Sequence, residues 1–460
     1  MVMVSLNVNE WAEEQFGGCD LGDRRRTQRL MRYAAQAAAS PDSSTPKQTE
    51  CWSDCKAAYR LFDNEDVTFA AITAPHYAAT RARTAGTWLL ISDTTETHFP
   101  GTHVQGLGPT GNGGGRGFLL HSSLMVRPDG HEIVGLAGQV IRYRQTVKRE
   151  PGGAQRVRRK NRESIIWSQV IDQVGPPPEG VRFLHVFDRG GDQFELYARM
   201  QRHGTGWVVR AAQLQRRVVT PEGPRTPLSK YLAGLSSAGA YTLELPANKN
   251  QTAHTANIEV RFGPLVMPRP QHVSDWVKKS QIQEVPLWVV DAREVNPPSG
   301  VEAARWVLLT SEPVSDFNAA WTILEHYEKR PLVEEFHKAL KTGCRLEERQ
   351  YETAARLEAV TGVLSVLAVR LLQLKTVARD DPQRPAEEVV PKTWIRMLQR
   401  LRKRPAKAWT VREFYREMAK LGGFLGRKSD GEPGWITVWR GFEKLHLCLR
   451  GVDAYGEKCG

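Results

Sequence analysis

The chain, 460 residues long, has little of what anchors or staples a protein. No apolar run reaches the roughly 20 residues that a membrane-spanning helix needs. The opening MVMVSLNVNEWAEEQF lacks the charged-then-apolar order of a secretory leader. The 6 cysteines form no C-x-x-C pair and no Cys/His zinc spacing. Cys51 and Cys55 share a helix face but have no partners nearby, the pattern of structural thiols in a reducing cytosol. The phosphate-cradling fingerprints are missing too: GPTGNGGGRGF fits neither the P-loop nor the dinucleotide motif and reads as a flexible loop. Together these absences argue against a membrane protein, a disulfide scaffold, a zinc finger and a nucleotide-binding Rossmann domain, and they place the protein in the cytoplasm. Negative charge is also short, with 51 acidic side chains against 64 Lys and Arg and a net charge of +13.

What is present is ordinary in bulk and unusual in arrangement. A hydrophobic fraction of 40% and a charged fraction of 25% suit a soluble globular chain, long enough for several domains. The positive charge is clustered. Arg144, Lys148, Arg149, Arg156, Arg158, Arg159 and Lys160 form one run, and Lys392, Arg396, Arg400, Arg402, Lys403, Arg404 and Lys407 form another. A solubility surplus needs no such clustering, whereas a polyanion does, because each neutralised phosphate releases counterions.

The hydrophobic periodicity divides the chain in three. Residues 1–72 read as a small basic helical domain. DLGDRRRTQRLMRYAAQAAAS is a helix capped by Asp23 and stopped by Ser40-Pro41, and CWSDCKAAYRLFDN is a second helix. Arg24, Arg25, Arg26 and Arg29 crowd the first turns of the former, against the helix dipole. They are either a solvated face or a surface serving an external anion. Within residues 73–372 the first apolar run is TWLLISD at 87–93, ending in an aspartate. Two strands around the Asp129-Gly130 turn follow, then a helix, the run VRFLHVFD, a helix and the strand GWVVRA. That order makes an α/β mixed sheet with helices on its faces. Alternating stretches over about 211–312 form a β-rich insertion. Residues 373–460 are a basic, mainly helical tail.

Asp93 and Asp188 each end an apolar strand, where active sites of open sheets gather, although turns alone also favour aspartate there. The segment YEKRPLVEEFHKALK adds a third acid. At 100° per residue, Tyr327, Arg330, Glu334 and Lys341 fall at roughly 0°, −60°, −20° and −40°, so one helix would project all four from a narrow face. Pro331 lies inside this stretch and requires the helix to kink or restart there. Converging carboxylates repel one another, by about 4 kcal/mol for a pair 4 Å apart at an effective dielectric of 20, unless one takes a proton or a divalent cation joins them. Hard oxygen ligands suit Mg²⁺ or Mn²⁺, and such ions beside a basic surface point to phosphoryl transfer on nucleic acid.

On these residues the chain resembles the bacterial cut-and-paste DDE transposases, whose catalytic core is RNase H-like as in retroviral integrases. It is most similar to the insertion-sequence branch with a Tyr-x2-Arg-x3-Glu-x6-Lys signature, matched here by Tyr327, Arg330, Glu334 and Lys341. SDTT around Asp93 and FDRGGD around Asp188 resemble the two aspartate motifs. LGDRRRTQRL and AAYRLFDN resemble the branch's DNA-binding domain, and RWVLLTSEPV and EEFHKALKTGCRLEERQ continue the likeness over nearly the whole chain. The resemblance implies an RNase H-like core with a β-rich insertion, flanked by the two helical domains. It implies that Asp93, Asp188 and Glu334 hold two Mg²⁺ (or Mn²⁺) ions for nicking, hairpin formation and opening, and strand transfer. Tyr327, Arg330 and Lys341 would hold end phosphates, Trp306 would stack on a flipped base, and Arg25, Arg26 and Arg29 would recognise double-stranded transposon-end DNA. The tail would pair two subunits into a homodimer on end and target DNA, near the bacterial nucleoid. The alternatives are an RNase H-like nuclease or resolvase without strand transfer, and a non-catalytic DNA-binding regulator of transposase descent.

Overall fold

Five helices come first. The computed structural model describes residues 7–456 except 84, 101–103, 112–113, 131, 146–161, 222, 248–251, 389 and 428–429. The basic residues Lys148, Arg149, Arg156, Arg158, Arg159 and Lys160 lie outside the described residues. Helices α1 (Val8–Phe16), α2 (Arg24–Ala39), α3 (Thr45–Gln48), α4 (Trp52–Phe62) and α5 (Phe69–Arg81) bury Trp11, Phe16, Leu30, Tyr33 and Phe62. Asp23 caps α2 by accepting the backbone N–H of Arg25, and Ser40 ends the helix, as short polar side chains at helix ends do.

The chain then lays down β1 (Gly86–Glu96), β2 (Gly108–Pro109), β3 (Arg116–Gly117), β4 (Leu119–Val126) and β5 (Ile133–Arg142). After these come α6 (Ile165–Val174), β6 (Val181–Phe187), α7 (Phe194–Arg202) and β7 (Gly206–Arg210). This is the strand, hairpin, helix, strand, helix, strand order that the sequence predicts. β1 sits in the middle. It pairs antiparallel with β4, which pairs antiparallel with β5. On its other edge β1 pairs parallel with β6, and β6 pairs parallel with β7, connections that need the helical crossovers α6 and α7.

The β-rich segment comprises β8 (Arg217–Thr220), β9 (Gly223–Pro227), α8 (Leu228–Gly234), β10 (Gly239–Leu245), β11 (His254–Pro268), α9 (Asp275–Ser280), β12 (Glu284–Val295) and β13 (Arg305–Thr310). It is continuous with the core. β13 runs antiparallel to β7, with Leu309 opposite Val209, so the insertion caps the edge that β7 would otherwise leave unpaired. The result is one 11-stranded sheet in the order β5-β4-β1-β6-β7-β13-β12-β11-β8-β9, with β10 on β11.

Among the described residues six α-helices follow: α10 (Phe317–Glu328), α11 (Pro331–Lys338), α12 (Ala354–Asp380), α13 (Lys392–Leu401), α14 (Val411–Leu421) and α15 (Trp435–Gly456). α12 buries Leu357, Val360, Val363, Leu367, Val369 and Leu372, which lie on more than one helical face, the pattern of a helix enclosed by protein. It packs on α5, β5, α14 and α15. Its Arg370 lies wholly buried over the ring of Trp11, 4.9 Å from the centroid, and burial pulls that guanidinium down to about 9. No helix among the described residues is long and apolar enough to cross a membrane. Residues 72–73 fall inside α5 and residues 372–373 inside α12, so a continuous helix runs through each position where the sequence suggests a change of domain.

Candidate active site

The parallel register of β1 and β6 sets two carboxylates side by side. Leu90 is opposite His185 and Ile91 opposite Val186, so Asp93 and Asp188, both two residues further on, are level on strands about 4.8 Å apart. Asp93 Oδ1 accepts the N–H of Thr94 at 2.7 Å, and Thr94 Oγ1 meets Nδ1 of the buried His121 on β4 at 2.7 Å. Asp188 follows β6 directly. Its Oδ1 accepts the N–H of Gly190 at 2.7 Å, capping the short turn Arg189–Gly191.

The third carboxylate arrives on a helix that restarts. α10 ends at Glu328 and α11 begins at Pro331, because proline has no N–H to give the preceding turn and is well suited to a first helical position. The single helical face expected for the four signature residues is therefore corrected. Tyr327 belongs to the last turn of α10, Arg330 stands at the N-cap of α11, and Glu334 lies in the first turn of α11. Lys341 lies in a wider π-type turn, Ala339–Gly343. α11 buries Leu332, Val333 and Phe336 against the sheet, and this leaves Glu334 free to face the strand ends.

Three acids from three elements thus meet one cation. Arg330 Nη2 lies 2.8 Å from Asp93 Oδ2 and 3.8 Å from Asp188 Oδ2, while Nη1 is hydrogen-bonded to Glu334. Only 17% of the Arg330 side chain is exposed, and its buried Nε has no hydrogen-bond partner. Burial pushes Asp93 up to about 6. Arg330 and the Thr94 N–H pull the other way, while Asp188 and Glu334 push further upward. The shift is chiefly the cost of burying the Asp93 charge, which the one guanidinium facing three carboxylates only partly offsets.

Among the described residues no group of three His, Cys, Asp or Glu side chains stands so as to hold a metal ion; the guanidinium is the cation they surround. The donor set nevertheless fits a hard divalent ion, with carboxylate oxygens from three elements already turned toward one positive group.

The other expected residues lie around this centre without joining it. Lys341 Nζ donates to the carbonyl of Glu96 at 2.8 Å and pairs with Glu347 at 3.0 Å, which ties the π-type turn to the end of β1. Tyr327 is buried edge-on to Trp306, with ring centroids 5.1 Å apart. Burial raises its hydroxyl above the ordinary phenol range against the pull of Arg210 and Arg330. Trp306 is half-buried on β13, opposite Ala292 of β12. At the far N-terminal domain, Arg25 is 89% exposed and touches only Asp23 among the pairs seen. Arg26 donates to Asp66 at 2.5 Å and to the carbonyl of Leu21 at 2.7 Å. Arg29 pairs with Asp54 at 2.9 Å, alongside Arg32 at 2.6 Å. Burial would push Asp54 upward, but Gln36, Arg29 and Arg32 together hold it below the usual carboxylate range.

Sequence reasoning missed Arg210, Glu347 and His121. Arg210 is the last residue of the apolar strand β7, much as Asp188 directly follows β6, and that parallel was the available signal. Glu347 and His121 carry no local signal, since one is set by a turn and the other by strand pairing.

Comparison with known proteins places both ends of the chain. Residues 8–67 match the family model described as transposase DNA-binding, and residues 366–457 match that of the transposase Tn5 dimerisation domain. Among solved structures, the piggyBac transposase synaptic complex with hairpin DNA is similar at 8% identity and a TM-score of 0.35. That match covers 93% of this chain and 81% of that one, a likeness too remote to bear on the site.

Proposed function

We propose that this chain, whose ends match a transposase DNA-binding model and the transposase Tn5 dimerisation model, is a transposase with Asp93, Asp188 and Glu334 as its catalytic acids. One observation carries the proposal: these three carboxylates, from β1, the end of β6 and α11, converge on the Arg330 guanidinium. They would hold two Mg²⁺ or Mn²⁺ ions. Bound there, such ions supply the positive charge that the attacking and leaving oxygens of a phosphodiester need.

The chain's own groups position the DNA. Arg330 pairs with the acids and Lys341 holds the carbonyl of Glu96 at the end of β1, and they would grip phosphates of the transposon end, Arg330 through its two-pronged donor face. Tyr327 braces Trp306, whose half-buried ring would receive a base turned out of the stack, an exchange in which aromatic stacking offsets the cost of unstacking. Arg25, with Arg26 and Arg29 beside it, would lie along the duplex.

The reaction sequence then needs no covalent protein–DNA bond. Water attacks the phosphodiester at the transposon end and frees a 3′-hydroxyl. That hydroxyl attacks the phosphodiester of the opposite strand, displacing the 3′-oxygen of the flanking DNA and closing a hairpin on the transposon end. A second water reopens the hairpin, and the same hydroxyl attacks target DNA. Each step exchanges one P–O bond for another, with the proton passing to solvent. Two copies joined through residues 366–457 would hold the two ends. Incubating the chain with the DNA flanking its own gene, with and without Mg²⁺, tests the reading. Hairpin-ended fragments only with Mg²⁺ are expected, and end binding without any Mg²⁺-dependent cut would overturn it.

A further inference from the structure

We propose that Arg330 is a placeholder cation: in the free chain it keeps divalent metal off the three acids, and metal entry hands it over to a DNA phosphate. The proposal rests on the catalytic assignment above and goes beyond it by making Arg330 the link between metal and DNA binding.

The geometry gives the reason. Arg330 Nη2 already lies 2.8 Å from Asp93 Oδ2 and 3.8 Å from Asp188 Oδ2, and Nη1 holds Glu334. A magnesium-type ion needs those carboxylate oxygens at about 2.0–2.1 Å. A divalent ion bonded to those oxygens would stand within about 5 Å of the guanidinium nitrogens and repel them, so guanidinium and metal compete for one site. The side chain is well placed to exchange. It springs from the residue before Pro331, at the N-cap of α11, and is held by ion pairs that a metal would replace, while its Nε has no hydrogen-bond partner.

Once displaced, the guanidinium offers a planar pair of donors suited to a phosphate. Binding linkage is reciprocal. If metal releases Arg330 to the DNA, then a phosphate that draws Arg330 away must raise the affinity of the acids for metal by the same factor. The free transposase would therefore take up metal poorly, and the centre would assemble when end DNA is in place.

Calorimetric titration of the full chain with Mn²⁺, without DNA, reads this directly. Arg330→Gln should bind Mn²⁺ about tenfold more tightly than the wild type, within the usual range of coupling between sites. Arg330→Lys, which keeps the charge but loses the two-pronged contact, should fall between them, and it serves as the reporter if the glutamine variant does not fold. Adding a duplex of end DNA should tighten Mn²⁺ binding in the wild type and narrow the gap to the glutamine variant. Equal or weaker Mn²⁺ affinity in Arg330→Gln would overturn the placeholder while leaving the three acids as ligands. Absence of Mn²⁺ binding in wild type and variants, with end DNA present, would overturn the catalytic assignment as well.

Discussion

Two regions of this molecule treat arginine in opposite ways. In α2, arginines that are neighbours in sequence part company: Arg25 is open to solvent, Arg26 goes to Asp66, and Arg29 goes to Asp54 with Arg32. At the sheet, acids far apart in sequence meet, and a single arginine is shared among three of them. The contrast is one of charge ratio. In the N-terminal domain one buried carboxylate serves two guanidinium groups, which leaves surplus positive charge for a polyanion. At the strand ends one guanidinium serves three carboxylates, which leaves a deficit that a divalent ion would fill. The same interaction is structural in the first case and unfinished in the second.

The largest expected effect breaks the comparison on the acidic side. Asp188→Ala or Glu334→Ala should lower cleavage of end DNA by about 10³-fold or more while leaving end-DNA binding in a mobility-shift titration nearly unchanged. If cleavage survived either change, the acids would be no more than partners of Arg330.

Next comes pH. Asp93 sits near 6 in the folded chain because of burial, against about 3.9 for an unperturbed aspartate. Between these values the folded chain keeps a proton that the unfolded chain has lost, so stability falls as pH rises from about 4 to about 6 and is level above that. In chelator-treated protein, the unfolding free energy of the wild type minus that of Asp93→Asn should drop by on the order of 2 kcal/mol across this window. A flat difference would show that burial does not penalise the Asp93 charge.

On the basic side, Asp54→Ala leaves Arg29 and Arg32 without their shared acceptor and should cost about 1–3 kcal/mol, read as a lower urea midpoint at unchanged slope. Arg25→Ala should be the smallest change in stability, within about 0.5 kcal/mol. It should still reduce the salt dependence of end-DNA binding by about one phosphate contact. An unaltered salt slope would remove Arg25 from the interface.

The parts of this structure that were legible in sequence are those governed by local pattern. Asp23 as a cap, the apolar runs closing on Asp93 and Asp188, and the order of strands and helices through β7 follow from periodicity and turn chemistry. The restart at Pro331 was readable as well, because it is a property of the residue itself. What that restart did to the signature was not, since the angles of Tyr327 and Lys341 assumed one regular helix, while the chain uses a break and a π-type turn. The partners of Arg26 and Arg29 are set by the packing of α2 on α4 and on the loop that carries Asp66. The annealing of β13 to β7 is likewise a pairing between distant segments. In each case the missing information was a contact, and no window of sequence contains it.

The most direct measurement is anomalous scattering from Mn²⁺ in crystals of the chain with end DNA. The account predicts metal peaks bonded to carboxylate oxygens of Asp93, Asp188 and Glu334, with Arg330 turned onto a phosphate. Metal bound elsewhere, with Arg330 still among the three acids, would contradict it.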